Sequence, residues 1–162
     1  MRPVALLLCT ITLSLMLLTA AAAPAAEAAG PRLGPGERAL VRAVNGERAR
    51  HGLPRLARTG RLSRAADHHS RRMLARDFFA HGSMAQRVRR YGRYRRVGET
   101  LAMVSGCGRR GARRAVRMWM QSPAHRVILL SRGFRRVGVG ARKGRLGSMR
   151  TCVVTADFAS RR

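Results

Sequence analysis

The C-terminal stretch RRVGVGARKGRLGSMRTCVVTADFAS, residues 135–160, does most to limit what this chain can fold into. Two runs containing valine, threonine and phenylalanine flank a glycine-bearing turn, which is the pattern of two paired strands. Ahead of it the apolar spacing is helical. GERALVRAVNGERARHG sets Leu40, Val41 and Val44 on one helical face with arginines opposite, and Gly52 stops the helix. TGRLSRAADHHSRRMLARDFF repeats the pattern with Leu62, Ala65, Ala66, His69 and Met73, and Thr59 is its expected N-cap. RRGARRAVRMWM supplies a third helix carrying Val116 and Trp119. Between these, FFAHGSMAQRVRRYGRYRRVGETLAM is less periodic and ends in a strand-like piece at Glu99–Met103. The chain of 162 residues therefore reads as one α+β domain, helices around a small sheet, without internal repeats.

Residues 1–25 have the layout of a secretory signal peptide: Arg2, an apolar run from Val4 to Leu18, then Ala23 and Ala25 in A-x-A spacing. Val4–Ala23 is also long enough for an uncleaved anchor. Thr10, Thr12, Ser14, Thr19 and the alanine-rich end favour cleavage. Residues 26–35 read as a linker, which leaves 36–160 as the domain. No later stretch is apolar enough to cross a bilayer, so the expectation is a secreted, extracytoplasmic monomer.

Charge narrows the partners less than it suggests. The formal net charge is +27, from 34 basic and 7 acidic residues, and Lys143 is the one lysine. Arginine pairs bidentately with phosphate and carboxylate, so acidic wall polymers, anionic lipid and nucleic acid all suit it. GC-rich codons give the same alanine and arginine bias, and net charge speaks to steering and solubility more than to a site. A solvated basic surface with non-specific affinity is the plain expectation, nucleic acid included. Cys107 and Cys152 form an even pair after export and read as a disulfide. Closing that loop contributes about 4 kcal/mol on the chain-entropy model.

In order, NGERARHGLPRL, AADHHSRRM, FFAHGS, GET, WMQSPAHRVILL, FRRVGVG and TADFA resemble the CAP superfamily, the cysteine-rich secretory, antigen 5 and pathogenesis-related 1 proteins. The resemblance is greatest to its bacterial secreted branch and runs from Glu37 to Ala159. It implies an α-β-α sandwich with a small central antiparallel sheet, and a cleft where two histidines and two acidic residues face each other. By that resemblance the first histidine corresponds to His81, the first glutamate to Glu99 and the second histidine to His125. Ser122 stands where the second glutamate is expected, and Thr100 replaces the asparagine that usually follows the first. Members with the full tetrad hold a divalent cation such as zinc. His81, His125 and Glu99 are accordingly the candidate metal ligands here, with one carboxylate missing.

Local chemistry gives these residues a reading of their own. Ser122 and Pro123 are an N-cap and N1 pair, which puts His125 in the first turn of a helix. The positive end of the helix dipole keeps such a histidine neutral and able to offer a lone pair. Two histidines and a carboxylate with an open position also serve catalytic zinc, although no H-E-x-x-H spacing is present. Plainer roles compete. His69 lies on the apolar face of its helix as a hydrogen-bonded, partly buried residue, while His51 and His68 are exposed. Trp119 with Val116 is core, and Glu99 accepts hydrogen bonds from the His125 loop or pairs with arginine. Ser122, His125 and Glu99 together suggest a hydrolase triad, but a capping serine is already committed to backbone amides and no G-x-S-x-G elbow appears.

Three functions follow. The leading one is a non-enzymatic secreted binding module for a lipid, glycan or cell-wall component. The second is a metal-dependent hydrolase using His81, Glu99 and His125. The third is an electrostatic binder of nucleic acid or anionic membrane, for which only two tyrosines interleave with the arginines.

Overall fold

The structure, a computed structural model, describes residues 32–161. The expected signal peptide and most of the expected linker lie outside the described residues. Along the chain come α1 (Pro35–Arg50), β1 (Ala57–Arg58), α2 (Gly60–Ala75), α3 (Met84–Arg89) and β2 (Val97–Val104), then α4 (Arg109–Gln121), α5 (Pro123–Leu129), β3 (Arg136–Leu146) and β4 (Met149–Ala159). Among the described residues no helix is long and apolar enough to cross a membrane.

The C-terminal hairpin organises the rest. Leu146 pairs with Met149 across a two-residue turn, and Gly147 holds φ 55°, a left-handed position that costs glycine little. β4 is central, antiparallel to β3 on one side and to β2 on the other. β1 adds a short parallel pair at the far edge of β3, giving the order β1-β3-β4-β2.

β4 is buried from Thr151 to Ala159 because helices cover both faces of the sheet. Cys152, Val154, Ala156 and Phe158 join Leu40 and Val44 of α1 and Val116 and Trp119 of α4 in one core. Val153 turns the other way, to Met73 of α2 and Leu101 of β2. This alternation produces an α-β-α sandwich. Trp119 is core, as expected, and its indole N–H donates to the Leu101 carbonyl at 2.8 Å. Thr59 caps α2 by accepting from the Leu62 amide at 3.3 Å. The Cys107–Cys152 disulfide is formed, with Cα atoms 5.3 Å apart, and ties the loop before α4 to the central strand.

One expectation about α1 is corrected. Arg48 is not on a solvated arginine face: it falls four residues after Val44, in the same row, and is fully buried. Its Nε donates to the Pro54 carbonyl, and its Nη1 to the carbonyls of Leu129 and Ser131. The residue thus links α1 to the segment that ends α5.

On the opposite face α2 approaches β3 so closely that side chains are excluded. A Cβ on Gly138 would lie 2.1 Å from the Leu62 carbonyl carbon, and one on Gly140 would lie 2.5 Å from the Asp67 Cα. Gly138→Ala should therefore destabilise the domain by about 1–3 kcal/mol through overpacking. Gly46→Ala, where a Cβ meets nothing within 4 Å, should be neutral or stabilising by up to about 1 kcal/mol. Chemical denaturation of the two variants checks the contrast.

Candidate functional site

Glu99 enters at the beginning of β2, on the face shared with α2, and its side chain is sealed from water. A carboxylate there needs donors. His81 Nδ1 donates to Oε1 at 2.7 Å, and Arg87 Nη2 donates to Oε2. Arg87 also gives Nη1 to the His81 carbonyl at 2.9 Å, so one guanidinium grips both the acid and the loop that delivers the imidazole. Arg87 comes from α3, which the aperiodic sequence did not announce. This six-residue helix has no side-chain cap. It is held instead by Arg87 and by Val88, which is buried against Leu62 and Tyr94.

Of the residues expected in the cleft, the structure brings His81 and His125 near each other, with ring centroids 6.5 Å apart and planes inclined by 46°. His81 is half exposed. His125 is partly buried at the third position of α5, and burial, then the neighbouring His81, lowers its affinity for a proton. The neutral state matches expectation, though burial rather than the helix dipole is the leading cause. Ser122 takes the N-cap position by its backbone but makes no side-chain capping bond. The argument that capping removes it as a nucleophile is thus corrected. The triad fails for another reason, since the imidazole bonded to Glu99 belongs to His81 and not to His125.

Besides Arg87, two residues join the site unforeseen. His69 is fully buried, and its Nε2–H donates to the Ala80 carbonyl at 3.0 Å, 3.9 Å from Glu99 Oε2. Desolvation holds it below the usual histidine range against the opposing pull of Glu99, so it stays neutral with its Nδ1 lone pair unpartnered. Asp157 is the cross-strand partner of Glu99 and is wholly buried. Burial first, and then the charge of Glu99, push its carboxyl well above the ordinary aspartate range. As a carboxylate it finds no donor for either oxygen. As a neutral acid it becomes a donor itself, towards Glu99. An acid inside the otherwise apolar run CVVTADFA was the available signal. Arg87 offered none, being one arginine among many.

Of the three expected metal ligands, Glu99 is turned inward, and His81 keeps only Nε2 for a cation because its Nδ1 bonds Glu99. Both oxygens of Glu99 are engaged, one by His81 and one by a guanidinium that already supplies the positive charge. Among the described residues no three His, Cys, Asp or Glu side chains are grouped to hold a metal ion. As arranged, His81, Arg87, His69 and Asp157 surround Glu99 in a proton-bearing network, with His125 beside it.

Two outcomes follow. Arg87→Ala leaves a buried, uncompensated carboxylate and should lower stability by about 3–5 kcal/mol in chemical denaturation. For Asp157 the folded-state pKa is raised, so its contribution is fully present below the unfolded value of about 3.9 and is lost as pH rises towards the folded one. Asp157→Asn mimics the neutral acid. Its stability relative to wild type should therefore increase with pH across that window, and a constant difference would rule out the neutral acid.

Comparison with known proteins places this arrangement. The profile described as "Cysteine-rich secretory protein family" (CAP) matches residues 41–158. The uncharacterized protein YkwD of Bacillus subtilis (strain 168) is 31% identical over 110 residues, covering 64% of this chain and 41% of the relative. An extracellular protein containing an SCP domain from Bacillus anthracis str. Ames superposes with TM-score 0.66 at 24% identity, over 82% of this chain and 45% of that one. An outer surface protein from Borrelia burgdorferi superposes with TM-score 0.69 at 18% identity, over 83% of this chain and 100% of its own. The chain thus spans less than half the length of the two Bacillus proteins. With the family's profile matched across the sandwich and the cleft alike, this chain belongs to the cysteine-rich secretory protein (CAP) family.

Proposed function

We propose that the protein acts outside the cytoplasm as a non-enzymatic binding module for a cell-envelope component. The observation that carries this reading is the mutual engagement of the cleft's reactive groups. Glu99 is bonded on both oxygens, His81 spends Nδ1 on it, and Asp157 is sealed in the core. A hydrolase needs an activated nucleophile beside its base, and among the described residues no hydroxyl or thiol is hydrogen-bonded to the ring of His81 or His125. What remains exposed is the Nε2 side of His81, near His125, in a surface rich in arginine. Placement outside the cytoplasm is supported by the Cys107–Cys152 bridge. The leader pattern at residues 1–25 agrees with it, as do relatives described as extracellular or outer-surface proteins.

Co-sedimentation of the purified protein with isolated bacterial cell walls tests this. The expected result is retention at physiological salt, unaltered by added zinc or by EDTA, with no soluble fragments released. Fragment release that disappears in His81→Ala would establish the hydrolase instead. Retention on walls, DNA and anionic vesicles alike, lost in parallel as salt rises, would reduce the protein to a non-specific polycation.

A further inference from the structure

The outer face of α2 carries Arg61, Arg64, His68 and Arg72, spaced three or four apart and so aligned in one row. The row is about 16 Å long. Arg89, Arg90 and Arg93, from α3 and its exit, share a groove with it. A pocket of about 610 Å³ takes in Arg61 and Arg93, and a neighbouring one of about 620 Å³ takes in His68, Arg72 and Arg87. A third, of about 900 Å³, continues past His81. Arg90 lines all three, which makes them one track leading to the cleft. No aspartate or glutamate lines any of them among the described residues. The groove between α1 and α4 differs, since its arginines share the wall with Glu47, which pairs with Arg50.

The middle pocket is built rather than merely charged. The Arg72 guanidinium lies over the Phe78 ring at 5.8 Å, Arg87 is fixed by Glu99 and the His81 carbonyl, and the Tyr91 hydroxyl bonds His68 Nδ1 at 2.9 Å. Two of its wall residues hold buried polar atoms with no protein partner: Arg87 Nε, a donor, and His69 Nδ1, an acceptor. A hydroxyl both gives and accepts, so a hydroxyl-bearing ligand matches both kinds of atom where a bare anion matches only the donor.

We propose that this track binds a linear polyanion with hydroxyl-bearing repeat units, a polyuronate or a polyol phosphate of the cell envelope. The proposal rests on the envelope-binding reading above and names its ligand class. Single-stranded nucleic acid is disfavoured because stacking needs several open rings, and here Arg72 covers Phe78, which leaves Tyr91 as the one uncovered Phe, Tyr or Trp ring in the lining. A membrane surface is disfavoured because the exposed large apolar side chains, Phe79, Met118, Val127 and Met149, all lie off the track.

The test measures affinity at physiological salt for polygalacturonate and for poly(glycerol phosphate). A single-stranded oligonucleotide and phosphatidylglycerol vesicles are run beside them. Two charge-matched variants are compared: Arg72→Ala/Arg90→Ala on the track and Arg42→Ala/Arg113→Ala in the α1–α4 groove, both confirmed as folded by thermal melts. The track variant should lose at least about tenfold for one or both polymers, and the control should stay within about twofold of wild type. Equal losses in both variants would overturn the track and leave the envelope reading standing. Tighter binding of the oligonucleotide or the vesicles would overturn the ligand class. So would a wild-type protein that binds walls but neither polymer, whereas one that fails to bind walls at all would sink the parent reading.

Discussion

Sealed from water on β2, Glu99 needs a positive partner inside the fold, and the segment between α2 and β2 is shaped by supplying one. Arg87 must lie within reach, so α3 must stand where it does. The same guanidinium takes the His81 carbonyl, which fixes the loop and turns Nδ1 of that histidine to the free carboxylate oxygen. One charge also satisfies only one acid. Asp157, directly across the strand pair, is left to enter the core as a neutral group. Two of the few acidic residues in this arginine-rich chain are thus spent on a single buried network.

The sheet and the large helices were legible because their signals are local. The β-favouring residues of β4, the three- and four-residue spacing on α2, and the glycine turn at 147 are written in consecutive residues. α3 was not legible, because six residues held by one ion pair and one buried valine carry no period. β1 is two residues long and exists only as a partner for β3. Arg48 was readable in principle. It continues the row of Leu40 and Val44, but a composition so rich in arginine made every arginine look solvated.

The site was half legible for a related reason. His81, Glu99 and His125 could be named from family resemblance, yet what they do depends on which hydrogen bonds close. Glu99 is turned inward to a guanidinium from a helix that no sequence period announces, and His81 is left with Nε2 alone to offer outside. Ser122 shows the converse case, where the right residue at the N-cap position leaves its hydroxyl out of the bond that position usually makes. His69 belongs to the site because its Nε2 lies 3.9 Å from Glu99 Oε2, an approach that no sequence pattern records.

The glycines at 138 and 140 reach further than packing. With no side chain between them, the α2 backbone rests directly on a central-layer strand, and its height and tilt are fixed by backbone contact. The roots of the side chains on its outer face therefore stand at set intervals of about 5–6 Å, like marks on a ruler. A flexible chain that binds such a surface bears the backbone share of the ordering entropy, while the protein gives up only the rotamer freedom of its arginine side chains. Selectivity would then depend on how closely a polymer's own charge repeat matches that interval, and the helix pitch would decide it rather than the identity of any single side chain.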